Sequence, residues 1–357
     1  MQRTQKNARI KLRSNDQRRD NEQLFRAMKN WWKFLGIGLL LLASIAALRI
    51  PLAPALVHVS PDRIAPGTTD ITITGYNTAF TSGALVKLVN EEQQVCATSV
   101  SVLDASHLTA RFEVPAGMKA NLTDVSVDDL IYTGALFTEG LGAGITSAVC
   151  PETYPAPASF TFPNRSILYE SIRNLHFHVP MWFTMIVLMG ISVFQSIKVL
   201  GNNSLDNDLA AEMAARIGLV FCVLGLITGA LWARATWGAF WTNDVKLNGA
   251  AVTGLIYVAY LVLRGSVQDA HKRARLAAIY NIFAFMLLVL FLFVVPRLNA
   301  IDSLHPGNGG NSGFNDLDMD NSLRSIFYPA VLGWILVGCW MYDLRVRAAR
   351  LANNLDR

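Results

Sequence analysis

The chain has 357 residues, of which 52% are hydrophobic and only 16% charged, with a formal net charge of +5. A soluble domain carries about 25% charged residues, so a single soluble domain does not account for this composition. Four cysteines are too few for a disulfide scaffold. The apolar excess must therefore lie in particular segments.

Six apolar runs approach the length of about 20 residues that a helix needs to cross the hydrocarbon core of a bilayer. They are predicted at Phe34 to about Leu56, Val179 to Ile197, Ile217 to Trp232, Gly249 to Leu263, Leu276 to Val295 and Ile326 to Tyr342. The pattern predicts a polytopic all-α membrane bundle of six transmembrane helices embedded in a lipid bilayer.

The basic residues predict the orientation, because Lys and Arg are retained on the cytoplasmic side. Ten lie within positions 1–33, and others follow the fourth and sixth runs. Both termini are then cytoplasmic, and segments 57–175, 233–248 and 296–325 lie outside. The first run is followed by Arg49 and Pro51, so we expect a retained anchor and not a cleaved signal peptide. No aromatic residues interleave with the basic ones as in a nucleic-acid surface, so nucleic acid is not an expected partner.

The segment between the first two runs has a different character, with short alternating runs separated by turn residues. These runs are Asp70–Gly75, Ala84–Val89, Leu108–Val114 and Ala158–Phe162. They predict an inserted all-β, immunoglobulin-like extracytoplasmic sandwich. Val59-Ser-Pro, Pro66-Gly67 and Ile71 to Tyr76 resemble the IPT/TIG domains. The segment carries no catalytic constellation, because His58 and His107 stand alone, and its expected role is contact with another protein.

Cys96 and Cys150 both fall in this extracytoplasmic segment, where disulfides persist. Whether they pair with each other is left open by the sequence.

The second outer segment concentrates aromatic residues in a way that indicates a binding platform. Trp232, Trp237, Phe240 and Trp241 lie within ten residues, with Gly238 permitting close approach and Asp244 following. Tryptophan also favours the headgroup level of any membrane protein. A belt needs single rings at each helix end, however, so this concentration favours a flat apolar ligand.

Two histidines are expected on the same membrane face as this segment. His178 begins the second span, and His305 lies in the third outer segment. Imidazole nitrogens are common axial ligands of haem iron, so a bis-histidine haem clamp is the hypothesis. A closed zinc site, the competing interpretation, needs about four N or S ligands. His176 is two residues from His178, about 200° around a helix, so the two are not expected to reach one iron.

Haem carries two propionates, which need cationic partners. The residues leave four candidates open: Arg173, Arg234, Lys246 and Arg297.

From these features residues 165–345 resemble the CcmC family, which handles haem in cytochrome c maturation and belongs to the WWD haem-handling superfamily. The segment Leu231 to Asn248 resembles the WWD motif, and His178-Val-Pro and Leu304-His305 resemble the contexts of the family's two axial histidines. The resemblance places the propionate partners at Arg173 and Lys246. The sequence departs from the family at Phe240 and Asn243, at Lys246 and at Asn248, and it adds the β-domain.

The resemblance implies a non-enzymatic protein of the bacterial inner membrane with a periplasmic β-domain. Haem b is its expected cargo, bound at the outer face and delivered to the periplasmic haem chaperone CcmE. The ABC transporter subunits CcmA and CcmB, and the small subunit CcmD, are the implied partners, since this chain has no Walker-type loop.

Three alternatives stay open: a haem lyase of the CcsA kind, a secondary transporter, and a non-haem anchor for the β-domain. The predicted domains follow the spans. They are a basic cytoplasmic tail at 1–33, a first transmembrane helix at 34–56, a β-sandwich at 57–162, a five-helix haem-handling domain at 163–345 and a cytoplasmic tail at 346–357.

Overall fold

The computed structural model describes residues 30–61, 63–64, 66–89, 94–114, 122–127, 130–135, 137–138, 160–165, 168–298, 303–305 and 319–355. Two compact units divide the chain, one made of Met1–Arg49 with Ser171–Arg357 and the other of Ile50–Glu170. Most of the predicted basic tail (1–29), Cys150 and the last two residues lie outside the described residues.

Within the described residues, six helices are long and apolar enough to cross a membrane, as predicted. They are α1 (Asn30–Arg49), α2 (Leu175–Asn202), α3 (Leu205–Trp237), α4 (Val245–Ser266), α5 (Ala270–Val289) and α6 (Asn321–Leu355). A 3-10 helix, Tyr169–Asn174, leads into α2, and a π-helical turn and a short 3-10 turn extend α5 to Arg297. The helices exceed the apolar runs because polar and charged residues continue them at both ends.

The first helix ends earlier than the predicted span. The sequence prediction extends it to about Leu56, whereas α1 ends at Arg49 and strand β1 begins at Ala55. Pro51 and Pro54 lie between them. Proline lacks a backbone N–H and disfavours helical geometry in the residue before it, so the chain leaves the helix here.

The helical bundle is organised around α2, which packs against α3, α5 and α6. Its core includes Met181, Met185 and Leu188 from α2 together with Phe221 from α3 and Tyr257 from α4. The outer faces carry large apolar side chains, as expected of helices in contact with lipid chains. Examples are Leu255, Val262, Phe283 and Met286, all more than 60% exposed.

Charged side chains are buried between α3 and α4, at the helix ends opposite the predicted iron ligands. The Arg264 guanidinium donates to both carboxylate oxygens of Asp208, at 2.6 and 2.8 Å, and to Glu212 at 2.9 Å. Arg264 and Asp208 are 6% and 5% exposed. The predicted spans of α3 and α4 contain no charge, because these residues lie just beyond the apolar runs.

The second unit contains the predicted β-domain. Its strands are β1 (Ala55–Ser60), β2 (Arg63–Ile64), β3 (Gly67–Tyr76), β4 (Leu85–Val89), β5 (Gln94–Cys96), β6 (Ser99–Asp104), β7 (His107–Val114), β8 (Leu122–Val127), β9 (Leu130–Ala135) and β10 (Phe137–Thr138). One antiparallel sheet has the order β1-β3-β7-β6 and another β5-β4-β8-β9, while β10 and β2 form a short parallel pair.

Both larger sheets contribute to one core, which makes the domain a sandwich. In β7, Leu108, Ala110 and Phe112 are fully buried while Arg111 points outward. Val86 and Leu88 of β4 join the same cluster from the other sheet. Buried and outward-facing side chains alternate along the strand, which confirms the alternating pattern that predicts it.

The last predicted strand, Ala158–Phe162, does not form as such in its described part. Phe162 makes a single parallel bridge to Leu52, and Ala53 donates a backbone hydrogen bond to its carbonyl. Cys96 is in a disulfide, whereas Cys222 is a free, buried thiol.

The β6–β7 hairpin brings Asp104 and Ser106 to His107, although the sequence prediction treats His107 as isolated. Asp104 accepts from the backbone and hydroxyl of Ser106, at 2.7 and 2.9 Å, and its pKa falls to about 2 because of those bonds and the one to His107. Both Ser106 and Asp104 contact the same ring nitrogen, Nδ1 of His107. A proton relay needs the two opposite nitrogens, so the cluster stabilises a turn and is not a catalytic triad.

Candidate functional site

The predicted site residues gather at one end of the helical bundle. This end is formed by the start of α2, the last turns of α3 and the start of α4. His178 lies in the first turn of α2, and residues 303–305 bring His305 to the start of α4. The two histidines therefore lie at the same end of the bundle.

Each ring nitrogen of His178 has a hydrogen-bond partner. Nδ1 lies 3.1 Å from the Thr228 hydroxyl of α3, and Nε2 accepts from the indole N–H of Trp182 at 3.3 Å. The Thr228 hydroxyl itself donates to the Leu224 carbonyl at 2.8 Å. Its oxygen is therefore the acceptor for His178, which places the imidazole proton on Nδ1.

Two glycines of α3 make room for these rings. A Cβ at Gly229 would lie 2.7 Å from Cε1 of His178, and one at Gly225 would lie 2.8 Å from Cε2 of Trp182. Both separations are shorter than real Cβ contacts. Since residues four apart share one helix face, His178 and Trp182 of α2 lie beside Gly229 and Gly225 of α3 in matching register.

Asp244 connects α4 to the segment that carries His305. Its carboxylate caps the N-terminus of α4 by accepting from the backbone of Lys246 at 2.8 Å. It also accepts from the Ser303 hydroxyl at 2.7 Å and from the backbone N–H of Leu304 at 2.8 Å. Asp244 is 3% exposed, so these bonds replace the water that the carboxylate loses on burial.

The same carboxylate contacts Nδ1 of His305 at 3.1 Å. Burial raises the pKa of Asp244, but hydrogen bonds from His305, Ser303 and Leu304 outweigh it and hold the pKa well below its ordinary value. An ionised carboxylate only accepts hydrogen bonds, so Nδ1 of His305 carries the proton. Nε2 is then the unprotonated nitrogen, which is the one that would bind a metal in a carboxylate–histidine–metal arrangement.

The aromatic segment is divided between helix and loop. α3 continues through Trp237, and Gly238, at a φ of +78°, ends it in the left-handed conformation that glycine favours. The Trp232 ring stands edge-on to His178 at 5.8 Å, and the Trp237 ring edge-on to His305 at 5.1 Å. Each predicted iron ligand thus has its own tryptophan.

Phe240 and Trp241 follow in the loop, 57% and 46% exposed. Two of the departures from the family motif interact here: the Asn248 amide donates to Asn243 at 2.8 Å, and the Trp241 indole donates to Asn248 at 3.3 Å. The two asparagines therefore form one hydrogen-bonded unit with Trp241. These hydrogen bonds brace the loop between α3 and α4.

The four candidate cations have different surroundings. Arg173 donates to the carbonyl of Ala47 at the end of α1, at 2.7 Å. Lys246 is half-buried in the first turn of α4. Arg234 donates to the Gly238 carbonyl and lies over Phe240, and Arg297 donates to the Phe293 carbonyl of its own helix at 2.8 Å.

Five residues that build the site were not identified from the sequence: Thr228, Ser303, Trp182, Gly225 and Gly229. Thr228 and Ser303 are ordinary polar residues whose partners are distant in sequence, so nothing local marks them. Trp182 does carry a signal, because it lies four residues after His178 and therefore on the same face of α2. Gly225 and Gly229 share that spacing in α3.

The arrangement suits haem. Two histidines held through Nδ1, each beside a tryptophan, would supply two ligands to an iron whose other four ligands come from a porphyrin. Among the residues that the structure describes, no group of three or more His, Cys, Asp and Glu side chains is placed to hold a metal ion. A closed zinc site needs about four such ligands.

Comparison with known proteins gives a family match over the membrane unit. The family model described as Heme exporter protein C matches residues 147–357. A Heme exporter protein C of Bradyrhizobium diazoefficiens is 30% identical over 205 residues, which cover 57% of this chain and 70% of the relative. The Escherichia coli K12 protein of the same name is 27% identical over 54% of this chain and 73% of its own length. The strands of the β-domain lie outside the matched segment.

Proposed function

Because the chain belongs to the heme exporter protein C family, we propose that His178 and His305 bind haem between them and that the protein delivers it to the chaperone CcmE. The family role is the handling of haem, as cargo, in cytochrome c maturation, and the protein is multi-pass in the membrane. The observation that carries the proposal is the convergence of two imidazoles, each held through Nδ1 and each edge-on to a tryptophan, at one end of the bundle.

The proposal places this end of the bundle on the periplasmic side. Basic residues support this orientation, because Arg264, Lys272 and Arg273 lie where α4 and α5 meet, at the opposite end from the histidines. Arg347 and Arg350 lie near the end of α6. Both termini would then be cytoplasmic and the β-domain periplasmic.

Haem b is the proposed cargo, since two neutral imidazoles bind iron without any covalent link to the porphyrin. Bound iron would be coordinated through the Nε2 atoms. The propionates would lie near Arg173 and Lys246, and Trp237, Phe240 and Trp241 would cover the apolar porphyrin. A lysine at position 246 keeps the charge that such a partner needs but not the bidentate geometry of arginine.

Release would require exchange of the two axial bonds with ligands of the chaperone, so the chain itself need not catalyse a covalent step. Transfer would occur within an ABC-type export system. Its ATP-dependent subunits are proposed to be CcmA and CcmB, with CcmD as a small membrane partner.

The test is the absorption spectrum of the full chain purified after expression with haem supply. We expect a Soret band in the wild type and its loss or shift in His178→Ala and in His305→Ala, since each removes one axial ligand. His271→Ala is the matched control, because this histidine lies in α5 near Asn203, at the other end of the bundle.

A wild type without a Soret band, even after reconstitution with haemin, would sink the proposal and favour an anchor for the β-domain. A haem-loaded protein that attaches haem to apocytochrome without a chaperone would favour a lyase instead. Normal loading of the chaperone by either histidine variant would remove that residue from the ligand set.

A further inference from the structure

Trp182 donates a hydrogen bond to the ring nitrogen through which His178 is proposed to bind iron. The nitrogen of His178 proposed to bind iron is Nε2, and the Trp182 indole N–H already donates to it at 3.3 Å. An indole N–H only donates, so this bond uses the lone pair of Nε2. One lone pair cannot accept a hydrogen bond and bind iron at the same time.

Three features hold the indole of Trp182 against the imidazole of His178. Trp182 and His178 are one turn apart on α2, and their rings meet edge-on at 6.1 Å and 81°. Gly225 and Gly229 of α3 provide the space behind them, as a Cβ at either position would overlap the ring it faces. Thr228 meanwhile holds Nδ1, which keeps Nε2 turned towards the indole.

We propose that Trp182 competes with haem iron for Nε2 of His178 and thereby sets how long haem is retained. This rests on the proposed function. When haem binds, the bond between iron and Nε2 forms as the hydrogen bond from the indole breaks. When haem leaves, the reverse exchange occurs. No proton is transferred, because the indole nitrogen and Nδ1 of His178 each keep their hydrogen.

Competition from Trp182 makes the two proposed iron ligands, His178 and His305, differ in the strength of their bonds to iron. His305 is held by the carboxylate of Asp244, which increases the electron density of the imidazole and strengthens an axial bond. His178 is held by a hydroxyl on one nitrogen and opposed by a donor on the other. The bond to His178 is therefore the one that a haem acceptor displaces first. A cargo carrier needs such a ligand, because two strong axial bonds would slow release.

Trp182→Phe tests the proposal by removing the donor and keeping an aromatic ring against Gly225. The full-length variant in detergent micelles is loaded with haemin, and transfer to excess apomyoglobin is followed through the Soret region. We expect release about 2- to 10-fold slower than from the wild type, the ratio that corresponds to one hydrogen bond of ordinary strength. Trp334→Phe is the matched control, a Trp→Phe change at an α6 ring edge-on to Phe221, and should release haem at the wild-type rate.

A second measurement uses the haem-free protein. Diethylpyrocarbonate attacks the unprotonated nitrogen of an imidazole, so modification of His178, followed by mass spectrometry, reports whether Nε2 is held. We expect faster modification in Trp182→Phe and no change in Trp334→Phe. If Trp182→Phe folds poorly, Trp182→Leu takes its place, because it also lacks the donor. The same faster modification of His178 is expected.

Release from Trp182→Phe at or above the wild-type rate, or unchanged modification of His178, would overturn the competitor role. If the wild type loads haem normally under those results, only this inference fails and the haem site stands. If the wild type loads no haem, the proposed function fails and the competitor role fails with it.

Discussion

The β-domain and the helical bundle place polar and apolar side chains in opposite ways. In the β-domain, Ile71 and Ile73 are fully buried, whereas Asp70 and Arg111 pair on the surface. In the bundle, Leu255 is 67% exposed, and Arg264 and Asp208 are buried together. A polar surface is stable in water and an apolar surface in lipid. The β-domain therefore exposes charged side chains, whereas the bundle exposes apolar ones.

This difference changes what a buried polar group signifies in the bundle. A buried polar group between membrane helices has no water to satisfy it and must find a partner inside the protein, as Asn281 does with Ser192 and Ser196. Polar residues inside membrane proteins are therefore informative, whereas the surface pairs of the β-domain are ordinary. The hydrogen-bonded turn at His107 is such a surface cluster, because Ser106 and Asp104 contact the same ring nitrogen.

The largest expected effect comes from breaking the buried ion pair. Arg264→Ala leaves Asp208 without its partner and should lower the free energy of unfolding by about 3–5 kcal/mol. Arg111→Ala, the exposed counterpart in the β-domain, should leave the unfolding midpoint unchanged within error, because water solvates Asp70 when the pair is lost. Differential scanning calorimetry of both variants in detergent measures the contrast. The double variant Arg264→Ala, Asp208→Ala should recover part of the loss, and no recovery would contradict the role of the unpaired carboxylate.

A smaller effect is expected when the carboxylate at the site loses its charge. Asp244→Asn can still cap α4, since asparagine is a good N-cap residue. It should weaken haem affinity by about 10- to 100-fold, as loss of an outer-shell partner of a metal ligand does. Spectroscopic titration with haemin measures this effect. Asp269→Asn changes the cap of α5, where Asp269 accepts from Lys272, and should bind haemin like the wild type. Equal losses in the two variants would attribute the effect to capping and not to His305.

The smallest expected effect concerns the polar contact between helices. Asn281 of α5 donates to Ser192 at 2.7 Å and to Ser196 at 2.9 Å, both on α2. Hydrogen bonds between membrane helices average about 0.6 kcal/mol each, so Asn281→Ala should destabilise the bundle by about 1 kcal/mol. Thermal unfolding in detergent detects this as a small shift of one transition. A shift as large as that of Arg264→Ala would mean that neutral and charged contacts are worth the same in this bundle.

The elements predicted with most success are those marked by local patterns. The strand at Leu108–Val114 follows from strict alternation, and the helix containing Val179–Ile197 follows from an apolar run of membrane length. The sequence prediction extends the first helix to about Leu56, beyond its end at Arg49. The apolar run continues through Pro51 and Pro54, and hydropathy does not take into account that proline lacks a backbone N–H.

In the site, residue identities were accessible from the sequence but their partners were not. His178 and His305 stood out as histidines beside an aromatic segment, and their role as iron ligands stays a prediction. The bond between Asp244 and Ser303 joins residues 59 positions apart, which no local spacing encodes.

The sequence by itself determined the number of membrane helices, the inserted β-domain and the types of residue available to hold haem, because burial in lipid or water leaves a periodic or compositional mark along the chain. Only the tertiary structure decided which groups hold each imidazole, that α3 leaves space beside His178, and that Trp182 donates to Nε2. Those features depend on the side-chain geometry of packed helices, and that geometry is set jointly by residues distant in the chain.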